Sequence, residues 1–260
     1  MSVLKADHIS IQFGGLRAVN DFSIELNQRD LFAIIGPNGA GKTTVFNMLT
    51  GLYQPTEGTI YVNGKPMNGC APHEFADAGL ARTFQNIRLF GNATVLDNVK
   101  MAHTYKTKYN FFNMLTRTGN YHSEEKRITE ESMHLLEVFE LQDKKDFFAR
   151  NLPYGEQRKL EIVRALATEP QVILLDEPAA GMNPNEIDNV ISLIRRIRDD
   201  LGKAVLIIEH HMKMVMEIAE YIKVLDFGET ISEGKPEYVQ QDPKVIESYL
   251  GRRANDFRSK

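Results

Sequence analysis

The chain has 260 residues, 42% hydrophobic and 25% charged, a globular balance that excludes wholesale disorder and a membrane-spanning body and suits one large domain or two modest lobes. Lys and Arg number 31 against 35 Asp and Glu, so the formal net charge of -4 lacks the positive excess of a protein whose main partner is nucleic acid. A single cysteine, Cys70, cannot form an internal disulfide, and Met1-Ser2-Val3-Leu4-Lys5 carries no signal pattern, so a reducing, cytoplasmic setting is expected.

In chain order, Ile9 to Phe13 and Phe22 to Leu26 are short and alternate apolar with polar residues, as strands with one wet face do. Leu31 to Ile35 is apolar throughout, reads as a strand buried on both faces, and stops at once in a glycine-rich turn. A helix is predicted over Thr43 to Thr50, closed by Gly51. Thr59 to Val62 alternates again and runs into Val62-Asn63-Gly64-Lys65, a hairpin signal, so a small antiparallel sheet is expected.

From about Asn98 to Arg150 the strand signals vanish while Met133, Leu136 and Phe139 recur at helical spacing, which predicts an inserted helical lobe. Within it Tyr105, Tyr109, Phe111, Phe112 and Tyr121 read as packing on the lobe rather than as a ligand site. Val172 to Leu175 and Ala204 to Ile208 repeat the fully apolar strand pattern, and between them Ile187, Ile191, Ile194 and Ile197, then Leu201 before Gly202, mark one helix face. Strands alternating with helices predict an α/β fold with a mainly parallel sheet. No apolar run approaches the roughly 18 residues of a membrane span, so any spanning falls to another subunit. Arg252 to Lys260 reads as a solvated tail.

Gly36-Pro37-Asn38-Gly39-Ala40-Gly41-Lys42-Thr43 fits G-x-x-x-x-G-K-[ST] between a buried strand and a helix, where that motif cradles phosphates. Its glycines let backbone N–H groups turn inward, the positive end of the Thr43 helix faces the anion, and Lys42 adds a point charge at the β/γ oxygens. The Thr43 hydroxyl is placed to ligate Mg²⁺. Downstream, Asp176 ends the Val172 strand as a carboxylate for the metal's water shell, and Glu177 follows as candidate general base for an attacking water. Adjacent carboxylates on an extended chain point different ways and can take different tasks.

With these elements on the page the chain resembles the ATP-binding subunits of ABC transporters over nearly its whole length. Gln85 in Arg82-Thr83-Phe84-Gln85-Asn86 looks like the family's Q-loop, and Leu152-Pro153-Tyr154-Gly155-Glu156-Gln157, leading into a helix over Arg158 to Ala167, like its signature motif. Ala180-Gly181-Met182-Asn183 matches the D-loop, and His210 in Ile207-Ile208-Glu209-His210 the switch histidine. Phe13-Gly14-Gly15-Leu16-Arg17-Ala18-Val19, Ala179-Ala180-Gly181-Met182-Asn183-Pro184 and Val245-Ile246-Glu247-Ser248-Tyr249-Leu250-Gly251 resemble the larger ATPase of branched-chain amino acid importers, with urea importer ATPases the nearest rival. A soluble ABC protein would show paired ATPase domains, a coiled-coil insertion or a basic face, and a small P-loop kinase would not explain Gln85, Gly155 and His210 in that order.

The resemblance implies an ABC ATPase fold: a P-loop NTPase core with antiparallel β-subdomain over 1–97 and 160–251, a helical subdomain carrying the signature motif over 98–159, and a tail from 252. ATP and Mg²⁺ are the implied ligands. Phe13 would stack on the adenine, with Gly36, Pro37, Asn38, Gly39, Ala40, Gly41, Lys42, Thr43 and Thr44 completing the nucleotide set. Thr43, Gln85 and Asp176 would surround the metal, and Glu177, His210 and Gln85 would serve hydrolysis. Tyr154, Gly155 and Glu156 would meet ATP held by a second chain, because the family closes as a head-to-tail dimer, with itself or with a second ABC ATPase. Pro153 stands where the family commonly has a serine and offers no donor, so the trans contact comes from backbone N–H groups or is weaker, and Asn183 stands where the family has aspartate, which removes one charge near the dimer seam. Permease subunits would dock near Asn86-Ile87-Arg88-Leu89-Phe90 on the inner face of the membrane, with a solute-binding protein as indirect partner.

Overall fold

Two strands of 12 residues each, β1 (Ser2–Phe13) and β2 (Leu16–Asn27), form a long antiparallel hairpin. The alternating segments recognised in the sequence cover only part of each strand. Register shifts between Ala6 and Ile9 and between Ile9 and Ile11 twist the ribbon while keeping Leu4, Ile9, Phe22 and Leu26 inside. On the other side of β1 lies β4 (Glu57–Val62), which turns through Asn63 and Gly64 into the two-residue β5 (Lys65–Pro66) as the Asn-Gly signal predicts. The computed structural model describes residues 2–103 and 119–256; Tyr105 to Phe112 lie outside the described residues, and Tyr121 is described in its backbone only.

The second sheet is a six-stranded one. At its middle are β3 (Leu31–Ile35), β7 (Val172–Asp176) and β8 (Ala204–Ile208), with β6 (Leu80–Arg82) and β9 (Tyr221–Asp226) as parallel neighbours and β10 (Glu229–Gly234) antiparallel on one edge. Every residue of β7 and β8 is buried, as strands covered on both faces require. Helix α1 (Lys42–Leu49) follows β3, and its Val45, Phe46 and Met48 join Ile34, Leu174 and Leu206 in a core shared with the antiparallel sheet. Helix α6 (Pro184–Asp199) buries Ile191, Ile194 and Ile197 on the face the isoleucine spacing predicts. The short α2 (Pro72–Asp77) precedes β6, α7 (Met212–Ile218) follows β8, and α8 (Pro236–Gln241) and α9 (Pro243–Asp256) end the chain.

The chain divides into two compact units, 1–85 with 171–260, and 86–170. The division departs from the expected limits at 98 and 159 for physical reasons. Residues 86–97 make their bonds within the helical unit: buried Asn98 exchanges hydrogen bonds with the Phe90 backbone, and the Ala93 and Gly91 carbonyls accept from Ala149 and Arg150. A cut at 159 would split α5 (Tyr154–Leu166), a helix that starts earlier than its Arg158 to Ala167 expectation. In that unit α3 (Val95–His103) packs on α4 (Gly119–Val138) and on α5. Leu136 and Phe139 are fully buried there and Met133 half-buried. The expected tail from 252 is helical in its backbone to Asp256, because α9 is already under way from Pro243 with Val245 buried.

Candidate nucleotide site

The glycine-rich turn after β3 wraps backward on itself. Gly36 has φ 150° and lies so near β9 that an added Cβ would meet the Leu225 carbonyl oxygen at 2.1 Å, so no other residue fits. Gly41, at φ 101°, is the N-cap of α1, whose first N–H groups therefore open into the turn rather than onto a side-chain cap. Lys42 is buried, and its ammonium donates to the Gly36 carbonyl at 2.7 Å and to the Pro37 carbonyl at 2.9 Å, lashing the turn into a closed ring. Gly36 and Pro37 thus serve the loop through their carbonyls.

A cavity of about 650 Å³ opens over this ring. Asn38 to Thr44 form its floor, Gln85 and Glu177 one part of its wall, and Phe13 with Leu16 and Phe227 an apolar part. Phe13 is exposed and set edge-to-face against Tyr53, ring centroids 5.3 Å apart. It is an available aromatic face at the end of β1 rather than a core residue.

Asp176 and Glu177 separate, but not by the alternation of an extended strand. Asp176 ends β7 inside the protein, whereas Glu177 has φ 48°, a left-handed conformation that turns its carboxylate out to the cavity. The Glu177 N–H donates to the Ile208 carbonyl at 2.9 Å, which pins this strained residue to the end of β8. Gln85 Nε2 donates to Glu177 Oε2 at 3.0 Å, and His210 Nδ1 lies 3.8 Å from Glu177 Oε1. The structure therefore brings Gln85, Glu177 and His210 to one place.

Two residues of this assembly were not singled out in the sequence. Arg82, at the end of β6, donates to Asp176 Oδ2 at 2.8 Å with both side chains only 6% exposed, and it also reaches Asn47 of α1 at 2.8 Å. Its guanidinium lies over the rings of Phe46 and Phe84. A buried carboxylate at a strand end demands a cation, which is the signal that points to an arginine nearby. Glu209 is fully buried and accepts three backbone bonds, from Ala179 at 2.9 Å, His210 at 2.8 Å and His211 at 3.0 Å. It ties the segment after Glu177 to the segment that carries His210.

In the helical unit Pro153 is the N-cap of α5, with φ −53° and ψ 152°. The Glu156 N–H is not presented outward: it donates to the Pro153 carbonyl at 3.0 Å, and the Glu156 carboxylate pairs with Lys144. Tyr154 is exposed. Asn183 has a structural task of its own, accepting from the Glu186 N–H at 3.1 Å while Glu186 accepts from the Asn183 N–H at 2.9 Å, a capping box that starts α6. Phe90 is 53% exposed beside Arg164, so it is not core.

A phosphate loop between β3 and α1, strand-end carboxylates on β7 and a second, antiparallel sheet define an ABC-type ATPase cassette, and residues 19–180 match the profile of the ABC transporter family. Residues 229–255 match that of the branched-chain amino acid ATP-binding cassette transporters. The high-affinity branched-chain amino acid transport ATP-binding protein BraF of Pseudomonas aeruginosa is 42% identical over 249 residues, 96% of this chain and 98% of that protein. LivG of Escherichia coli, described in the same words, is 40% identical over the same shares. The ADP conformation of an ATP-binding cassette of an ABC transporter superposes with a TM-score of 0.84 at 32% identity, covering 96% of this chain and 99% of that one. The chain belongs to the ABC transporter family, in the group of ATP-binding proteins that includes BraF and LivG. Tyr249, within the second matched segment, lines an apolar hollow with Met212 and Met216, and burial pushes its phenol up to about 12.

Proposed function

We propose that this chain is the ATP-hydrolysing subunit of a branched-chain amino acid importer, docked on the inner face of the cell membrane against permease subunits that do the spanning. The observation that carries the substrate class is the identity of 42% across 96% of the chain to BraF, together with the 229–255 match. Among the described residues no helix is long and apolar enough to cross a membrane, in keeping with a peripheral subunit.

The chemistry follows from the cavity. Backbone N–H groups of Asn38 to Thr44 and the N-terminus of α1 receive the phosphates, and Lys42 turns from the Gly36 and Pro37 carbonyls to the β/γ oxygens. The donor set suits Mg²⁺: the Thr43 hydroxyl, the Gln85 side-chain amide and the Asp176 carboxylate are hard oxygen ligands, and Arg82 on Oδ2 fixes how the carboxylate is presented. When bound, the ion neutralises charge between the β- and γ-phosphates. Glu177 takes the proton of the attacking water, Gln85 at 3.0 Å orients its carboxylate, and His210 stands beside it to meet the γ-phosphate. Phe13 stacks on the adenine. Tyr154 and Gly155 face a nucleotide held by a second ATPase chain, identical or related, while Glu156 stays engaged with Pro153 and Lys144, and a solute-binding protein delivers the amino acid to the permease.

The test is uptake of labelled leucine, isoleucine and valine by cells whose transporter contains this chain as wild type or Glu177→Gln. Wild type supports uptake; Glu177→Gln lowers hydrolysis roughly 10²–10⁴-fold and uptake with it, while ATP stays bound. Uptake of urea in place of the amino acids would sink the substrate assignment. Normal hydrolysis by Glu177→Gln would sink the base assignment.

A further inference from the structure

The β9–β10 hairpin turns through Phe227 and Gly228 at φ 46° and 82°, both left-handed. Two-residue hairpins of this kind strongly favour Asn-Gly or Asp-Gly, because a bulky side chain at positive φ crowds its own backbone. The β4–β5 hairpin of the same chain obeys the rule, with Asn63 and Gly64 at φ 50° and 76°. Phe227 breaks it. Burial does not account for the exception, since the ring is 76% exposed.

The neighbours of the turn show where that ring is aimed. Gly228 donates to the Ala40 carbonyl of the phosphate loop at 2.9 Å and accepts from the Asn20 N–H at 2.8 Å. A Cβ at Gly228 would meet the Ala18 oxygen at 2.5 Å, so the turn is clamped between the loop and β2. Phe227 then stands in the wall of the same cavity as Phe13 and the phosphate loop. A residue that violates its local rule at a ligand cavity is where function is expected to override stability.

We propose that Phe227 is a second aromatic wall for the nucleoside end of ATP, in addition to Phe13. The proposal deepens the reading of this cavity as an ATP site and rests on it. The loop and Lys42 address only the triphosphate. An apolar ring at the β9–β10 turn supplies contact area to base and ribose without touching the phosphates.

The test is calorimetric titration of the purified full chain, in Mg²⁺, with ATP and separately with inorganic tripolyphosphate, for wild type, Phe227→Asn and Phe227→Tyr, with thermal melting of each. Phe227→Asn installs the residue that the turn prefers, so its melting temperature should equal or exceed that of wild type, and any lost affinity is not misfolding. Its Kd for ATP should rise about five- to thirty-fold with tripolyphosphate unaffected. Phe227→Tyr, which keeps the ring, should bind ATP as wild type does. Unchanged ATP affinity in Phe227→Asn, or an equal loss for ATP and tripolyphosphate, overturns the assignment. A wild-type chain that binds no ATP overturns instead the nucleotide reading on which it rests.

Discussion

Arg82 and Asp176 depend on one another more than any other pair at the site. Both are nearly out of water, and removing one partner takes the opposite charge away from a buried ion. Arg82→Ala should therefore cost about 3–5 kcal/mol of stability, read from the denaturant midpoint, while Arg82→Lys, which keeps the charge but loses the fork reaching both Asp176 and Asn47, should fall between. A loss within about 0.5 kcal/mol in the alanine variant would mean that water reaches Asp176 freely. At this scale the sequence was informative where chemistry is local. The phosphate loop is contiguous, and its residues were assigned one by one. Arg82 meets its carboxylate across 94 residues and sits in a strand of three, too short to announce itself by pattern. Glu209 was hidden by its neighbours, since its partners are backbone N–H groups that no side-chain pattern reveals.

Elements were legible in proportion to how plainly burial was written into them. β3, β7 and β8 are uninterrupted apolar runs and were recognised as doubly covered strands. β9 was missed because Lys223 interrupts Tyr221–Asp226; the structure buries that lysine, pairs it with Glu233 of β10 and sets it over the Phe22 ring at 5.5 Å. The β9–β10 turn was missed because Phe-Gly is not a turn signal. Asn183 stands at the D-loop position of the resemblance, and Asn183-Pro184-Asn185-Glu186 also carries a capping box and a proline at the first helical position. Asn183→Ala should cost about 1 kcal/mol, within a range of roughly 0.5–2, through loss of the cap on α6. Asn183→Asp, which keeps an acceptor beside the N-terminus, should retain that stability. The pair of thermal or chemical melts decides whether the residue caps: equal losses in both variants would refute it.

For the whole molecule, the division into two units was visible in the change from strand patterns to helical ones, but its limits were not. Pattern reads where an element begins, whereas a unit is bounded by where its hydrogen bonds close. Asn98, Phe90 and the Gly91 and Ala93 carbonyls close the helical unit earlier than the strand signals fade. The family resemblance reached the fold because its motifs stand along nearly the whole chain, and the matched segments at 19–180 and 229–255 extend it into the C-terminal helices.

Glu209 has a further consequence, for how the molecule opens. One buried carboxylate holds N–H groups from the segment after β7 and the segment after β8, so neither segment can fray without stranding a charge. Their amides should exchange with deuterium at one common, slow rate, as a single opening unit. In Glu209→Ala the amides of Ala179, His210 and His211 should lose protection together while those of β7 and β8 keep theirs. Separate exchange rates for Ala179 and His210 in the wild-type chain would mean that the two loops breathe independently. Joint opening instead makes the loop beside Glu177 and the loop of His210 one moving part, released or held by a single side chain.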